Sequence, residues 1–139
     1  MERKKVLVVD DEENVRRLVR RMLGKKNIVL EAEDGEMGRS TIAVGDTKLI
    51  ATTDLRGKVH LSLRPEDILL SKEPLRSTAR NSLPGVVTDV ADRGAVIYVT
   101  VTVPPDFISL ITRQSFEELE LKKGVRVWVT FKASAIHVF

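Results

Sequence analysis

Two sets of side chains in this 139-residue sequence could do chemistry. The first is acidic: Asp10 and Asp11 stand side by side at the end of KVLVVD, and Asp54, in KLIATTDLRG, follows 43 residues after Asp11. Carboxylates are the hard oxygen ligands that Mg²⁺ takes, one or two at a time, with phosphate and water filling its other positions. The second set consists of donors. Arg80 and Lys132 carry positive charge, and Thr78, Thr112, Ser115 and Ser134 carry hydroxyls. Backbone N–H groups near Ala79, Asn81 and Ala133 can complete the same cage. Donors and charge without acceptors suit a tetrahedral dianion, whose oxygens only accept. Such a cage favours a fully deprotonated oxyanion over hydrogen phosphate, because it cannot satisfy a proton on the ligand, and an unpaired buried donor costs ~1–3 kcal/mol. Taken singly, Arg80 and Lys132 read as solvated surface charges, and Thr112 and Ser115 as residues at a helix start.

The elements that must position these residues can be read from hydrophobic period. KVLVVD, residues 5–10, is a Val-rich run suited to a buried strand. Val15, Leu18, Val19, Met22 and Leu23 then form one helical stripe over residues 12–23, with Arg16, Arg17, Arg20 and Arg21 on the other face. Asp10 with Glu13 makes a capping box, and Gly24 suits the helix end. After Gly24 the period changes. IVLEAE, STIAV, TKLIATT and KVHLSL read as short strands, RPEDI as a single helical turn, and LLSKEPLRSTARNSLPG as a polar connection. PGVVTDVAD, AVIYVTVTV, FISLIT, VRVWVTFK and SAIHVF read as five more strands, with a helix, RQSFEELE, between the third and fourth. That order is the order of an OB-like barrel. The expected fold is therefore mainly β, with OB-like modules and one short helix, preceded by a βα unit. Ser115 lies at the start of RQSFEELE, where free N–H groups and the helix dipole would favour an anion. Glu117, Glu118 and Glu120 would face solvent.

Composition narrows the classes. The chain has no cysteine, which removes disulfides, thiolate metal sites and a cysteine nucleophile. No apolar run approaches the roughly 20 residues of a membrane-spanning helix, and the acidic pair interrupts the first apolar run too early for a secretion signal; a cytoplasmic protein is expected. Residues 1–26 hold nine Lys/Arg against five Asp/Glu, so the net charge of +3 belongs to the opening and not to the β-rich remainder. There is no phosphate loop G-x-x-x-x-G-K-[ST] and no Ser/His/Asp arrangement, so no enzyme is expected. His60 and His137 stand alone in alternating strands and read as structural; Trp128 and Phe131 read as barrel residues. With only six aromatics, base stacking on an OB-like face is poorly supplied, and nucleic acid is not an expected partner.

VLVVDDEENVRRLVRRML resembles the opening of response-regulator receiver domains, over about residues 4–35. In that family the acidic pair, here Asp10 and Asp11, holds Mg²⁺ beside a phosphoacceptor aspartate, for which Asp54 is the candidate. The interval GEMGRSTIAVGDT lacks the helix a receiver needs there, and the family's later hydroxyl and Lys-Pro positions have no clear counterpart. RSTARNSLPG, LITRQSFEELELKKG and FKASAIHVF, preceded by VHLSLRPEDILLS, are similar to the molybdate/tungstate-binding (MOP/TOBE) domain of molybdate and tungstate ABC-transporter ATPase subunits, over about residues 27–139.

That resemblance implies three parts: a receiver-like segment at 1–26, a first TOBE-like β subdomain at 27–75 and a molybdate-binding OB-like subdomain at 76–139. It places ligand positions on Thr78, Arg80, Thr112, Ser115, Lys132 and Ala133, with Asn81 and Ser134 beside them. Thr78 stands where the family commonly has serine. The resemblance further implies a homodimer in which Thr78 and Arg80 of one chain meet Thr112, Ser115 and Lys132 of the other. The implied function is non-enzymatic binding of molybdate or tungstate, as a sensor module of a transport system. Alternatives are the Mg²⁺-dependent phosphoacceptor on Asp10, Asp11 and Asp54, and a folded scaffold with a distorted site. The junction of two family resemblances near residues 24–35 suggests either a chimera or a natural fusion.

Overall fold

The computed structural model describes residues 7–8, 30–33, 39–44, 46–55 and 57–139. Among them are twelve strands in three sheets. The helix expected at 12–23 lies outside the described residues, as do Asp10 and Asp11.

One sheet is built from β2 (Leu30–Glu33), β3 (Arg39–Val44), β4 (Thr47–Thr52) and β5 (Gly57–Val59), in the order β4-β3-β2-β5 and antiparallel throughout. Its strands follow the period of two: Ile42, Val44, Leu49, Ala51 and Val59 are buried while Lys48 and Thr52 face solvent. The order leaves β4 at an edge.

The second sheet holds β8 (Asn81–Asp92), β9 (Val96–Thr102), β10 (Asp106–Thr112) and β11 (Arg126–Phe131). With β7 (Leu69–Ser71) added, its order is β10-β9-β8-β11-β7. Ile97, Val99, Val101, Phe107, Val127, Val129 and Phe131 alternate inward, and the Phe107 and Phe131 rings meet at 5.4 Å. Burial of each such side chain is worth ~1.5–3 kcal/mol. A six-residue helix, Arg113–Glu118, stands between β10 and β11. Three strands, the helix, β11 and a last short strand at His137–Val138 follow the OB-like order expected from the sequence.

β8 is the spine of this sheet. Residues 81–86 pair with β11, residues 86–92 pair with β9, and the ladder shifts register at a bulge between Val87 and Asp89. The hand-off needs Gly85, because a Cβ there would lie 2.7 Å from Val101 Cγ1 and 2.9 Å from the Thr102 carbonyl oxygen. Pro84 sits in the half of β8 that is paired on one side only, where a missing N–H is tolerated. The sequence reading began this strand at Pro84; it begins at Asn81.

The third sheet is small and mixed. β1 (Leu7–Val8) runs parallel to β6 (Leu61–Leu63), and β12 (His137–Val138) runs antiparallel to β6 on its other side. The closing strand thus returns to residues 61–63, while β7 from the stretch before residue 75 joins the second sheet. A boundary at 75/76 therefore divides the sequence but not the packing. Ser109 Oγ donates to the Ile68 carbonyl at 2.7 Å, and one continuous core runs from Ile42 and Leu49 through Leu61 and Leu63 to Val127 and Phe131. RPEDI forms the expected turn, as a 3-10 helix at Pro65–Asp67.

Candidate functional site

The structure sorts the donor residues into two groups at opposite ends of β8. Asn81 and Phe131 are register partners at one end of the β8–β11 ladder. Arg80 immediately precedes Asn81 and Lys132 immediately follows Phe131, so both cations leave the sheet at the same end, and both are exposed. Among the described residues neither has a carboxylate partner. Thr78 is exposed two residues before Arg80, and the Ala79 N–H donates to Ser77 Oγ at 3.2 Å. Lys132 is the N-cap of a 3-10 turn at Ala133–Ala135, which places Ser134 in solvent and buries Ala133. SAIHVF predicts strand from Ser134 onward, but the Ala135 N–H closes the turn onto the Lys132 carbonyl at 3.0 Å.

Asn81 differs from its neighbours. It is 3% exposed, and its carboxamide makes two hydrogen bonds to one residue of β4. The Ile50 N–H donates to Asn81 Oδ1 at 2.8 Å, and Asn81 Nδ2 donates to the Ile50 carbonyl at 2.8 Å. The side chain of Asn81 is thus spent on the first sheet, and only its backbone is left for a ligand.

Thr112 and Ser115 form the second group. Thr112 pairs with Val96 at the start of β9, beside the end of β8 at Asp92. Thr112 is the N-cap of the short helix: its Oγ1 accepts from the Ser115 N–H at 3.1 Å and donates to Ser115 Oγ at 3.1 Å. The hydroxyl proton of Ser115 is then available for an outside acceptor. The Arg113 N–H donates to the Ala95 carbonyl at 3.1 Å, so two of the helix's first N–H groups are already used. The expectation of a helix start offering several free N–H groups is narrowed to that of Gln114; the hydroxyls remain. Glu117, Glu118 and Glu120 face solvent, as expected.

Arg113 is the residue that sequence reasoning missed. Its Nε donates to the Gly94 carbonyl at 2.8 Å and its guanidinium bonds the Asp92 carboxylate, which also accepts from the Gly94 N–H at 2.8 Å. The hydrogen bond from Arg113, helped by the Gly94 N–H, holds the Asp92 carboxyl below the usual carboxylate range, and the guanidinium is raised in return. The signal was available: Asp92-Arg93-Gly94 is a turn signature, and Gly94 has φ +91°.

Asp54 is exposed just after β4. Its proposed partners Asp10 and Asp11 lie outside the described residues, and among the described residues no group of three or more His, Asp or Glu is placed to hold a metal. His60 and His137 each pack a ring against Phe139, at 5.5 and 5.4 Å, in keeping with structural roles. Among the described residues no helix is long and apolar enough to cross a membrane.

Residues 77–138 match the TOBE domain. The chain is 36% identical over 122 residues to the molybdate/tungstate import ATP-binding protein WtpC of Pyrococcus horikoshii, an alignment covering 87% of this chain and 34% of that protein. It is 34% identical over the same length to WtpC of Pyrococcus abyssi, again covering 87% of this chain and 34% of the relative. A molybdenum import ATP-binding protein, ModC of Thiobacillus denitrificans, is 36% identical over 85 residues, which cover 58% of this chain and 23% of that protein. The chain spans about a third of the length of the WtpC relatives. Among solved structures, the molybdate-bound form of the cytoplasmic molybdate-binding protein ModG superposes with a TM-score of 0.68 at 23% identity, covering 81% of this chain and 94% of that one. At that identity the likeness speaks for the fold.

The WtpC alignments leave about an eighth of the chain outside them, fewer residues than the 26 of the opening segment. Similarity to the import proteins thus reaches into that segment, and neither the receiver resemblance nor a chimeric junction after residue 26 gains support. Residues 77–138 are similar to the TOBE domain, and the fold that holds them is mainly β and OB-like.

Proposed function

We propose that this chain binds molybdate or tungstate without catalysis, at a site completed by two copies of the chain. Thr78, Arg80, Lys132 and Ser134, with backbone N–H groups near Ala79, Asn81 and Ala133, form one wall. Thr112 and Ser115 of a second copy form the other. The observation that carries the reading is the pairing of Asn81 with Phe131, which sends Arg80 and Lys132 out of the sheet together, with no carboxylate among the described residues to neutralise them. A cationic pair flanked by hydroxyls complements an acceptor-only dianion. Because Thr112 and Ser115 lie toward the far end of β8, a second copy is the simplest way to bring their hydroxyls to the cations. The import-protein relatives are named for the same ligand class, which supports the oxyanion reading; the sensing role within a transport system is proposed along with it.

Calorimetric titration with molybdate and tungstate, with sulfate as competitor, tests the reading. Saturable binding is expected, and Arg80→Ala should weaken it about tenfold or more, as loss of a charged hydrogen bond of ~1.5–3 kcal/mol requires. No heat at millimolar anion would refute it.

A further inference from the structure

Both segments of the cationic wall rest on the first sheet. The 3-10 turn that follows Lys132 packs on β4, and the residue that follows Arg80 is bolted to β4 by its side chain. Ile50 pairs with Thr41 of β3, yet both its N–H and its carbonyl point away from β3 to Asn81. The carboxamide of Asn81 therefore occupies the place of a further strand on the open edge of β4. The pair of 2.8 Å bonds is partly buried, and the primary amide donates from one terminal atom while accepting at the other.

We propose that Asn81 is a positioning residue for the oxyanion site: by pairing with Ile50 it fixes the backbone of Thr78–Arg80 against β4 and so sets the spacing between Arg80 and Lys132. This role rests on the oxyanion reading above. The first sheet is then a support for the ligand site, and a change in β4 is felt at Arg80 without touching the ligand.

Asn81→Asp gives the sharpest test. An ionised carboxylate can accept from the Ile50 N–H but opposes the Ile50 carbonyl, whereas the protonated form donates to it and restores both bonds. Facing a carbonyl in a buried place, the introduced carboxyl titrates above the ordinary range. Affinity is therefore restored below its pKa and lost as pH rises through it. The charged side chains on the segments meeting there, Arg80, Lys132 and Lys48, are all basic. Molybdate titrations of the variant and of the unsubstituted chain are run side by side at each pH, so that changes in the anion itself cancel.

The expected result is a loss of about tenfold in affinity at pH 8, of the order of one buried hydrogen bond, closing toward the unsubstituted chain as pH falls. A second variant approaches from the other side. Ile50→Pro removes the N–H from which Asn81 accepts but keeps the carbonyl, on a strand edge where proline is tolerated, and should weaken molybdate binding at every pH. It serves also if Asn81→Asp fails to fold at pH 8, as judged by thermal melting. Folded variants that bind molybdate as the unsubstituted chain does, with no separate pH profile, would overturn the role while leaving the oxyanion site standing. An unsubstituted chain that takes up no molybdate would overturn both.

Discussion

Replacing Gly85 by alanine tests the path of β8, on which the placement of every donor depends. The added methyl would stand 2.7 Å from Val101 Cγ1, 2.9 Å from the Thr102 carbonyl oxygen and 3.2 Å from Val103 Cγ2. Carbon atoms pack best at roughly 3.5–4.0 Å, so these neighbours must yield by several tenths of an ångström. The valine methyls can turn, but Thr102 is the register partner of Val86, the residue at which β8 passes from β11 to β9. Moving its carbonyl disturbs both ladders at their junction. Overpacking of this kind costs ~1–3 kcal/mol; with backbone on one side we expect about 2 kcal/mol, or roughly 5–8 °C in Tm for a chain of this length. The assay is thermal melting at fixed chain concentration, with Gly94→Ala as control. Gly94 has φ +91° but nothing within 4 Å of an added Cβ, so it should lose only the left-handed backbone preference, about 1 kcal/mol. A Gly85→Ala chain melting within about 1 °C of the original would refute the close crossing.

Thr112→Val removes the acceptor for the Ser115 N–H and should cost about 1 kcal/mol in denaturant unfolding, with Thr112→Ser restoring it. Because Arg113 holds the Asp92 carboxyl below its ordinary range, the tie between hairpin and helix is complete above that range and is lost as pH falls through the lowered value. Asp92→Asn should therefore lower Tm at neutral pH, with the difference from the original chain vanishing in acid; an unchanged difference would count against the tie.

Much of the fold was legible because the strands of the second half largely alternate. VIYVTVT and RVWVTF each present one apolar face, and the helix RQSFEE breaks the pattern with a threonine cap. What the sequence concealed was long-range. Nothing local shows that Leu69–Ser71 joins β11 while His137–Val138 returns to β6, because two- and three-residue strands carry too little period to declare their partners. Pro84 concealed the start of β8, since proline argues against a strand unless one side is known to be open. Among the donor residues, the resemblance put Lys132 with Thr112 and Ser115 of the other chain, whereas the pairing of Asn81 with Phe131 sends it out of the sheet beside Arg80 of its own chain; the structural use of Asn81 depended on Ile50, 31 residues away. Arg113 was overlooked because its partners Asp92 and Gly94 lie on a different hairpin.

The central claim is that donors from two chains meet around one anion, and mixing two damaged chains tests it directly. Arg80→Ala destroys the cationic wall, and a Thr112→Ala/Ser115→Ala chain destroys the opposite one. Each alone should bind molybdate about tenfold or more weakly than the original chain. Unfolded and refolded together in equal amounts, half of the dimers combine one chain of each kind, and in a two-fold dimer one of the two sites in each is intact. Calorimetry of the mixture should then recover about a quarter of the original sites at the original affinity. A mixture that binds no more molybdate than its separate components would contradict the account.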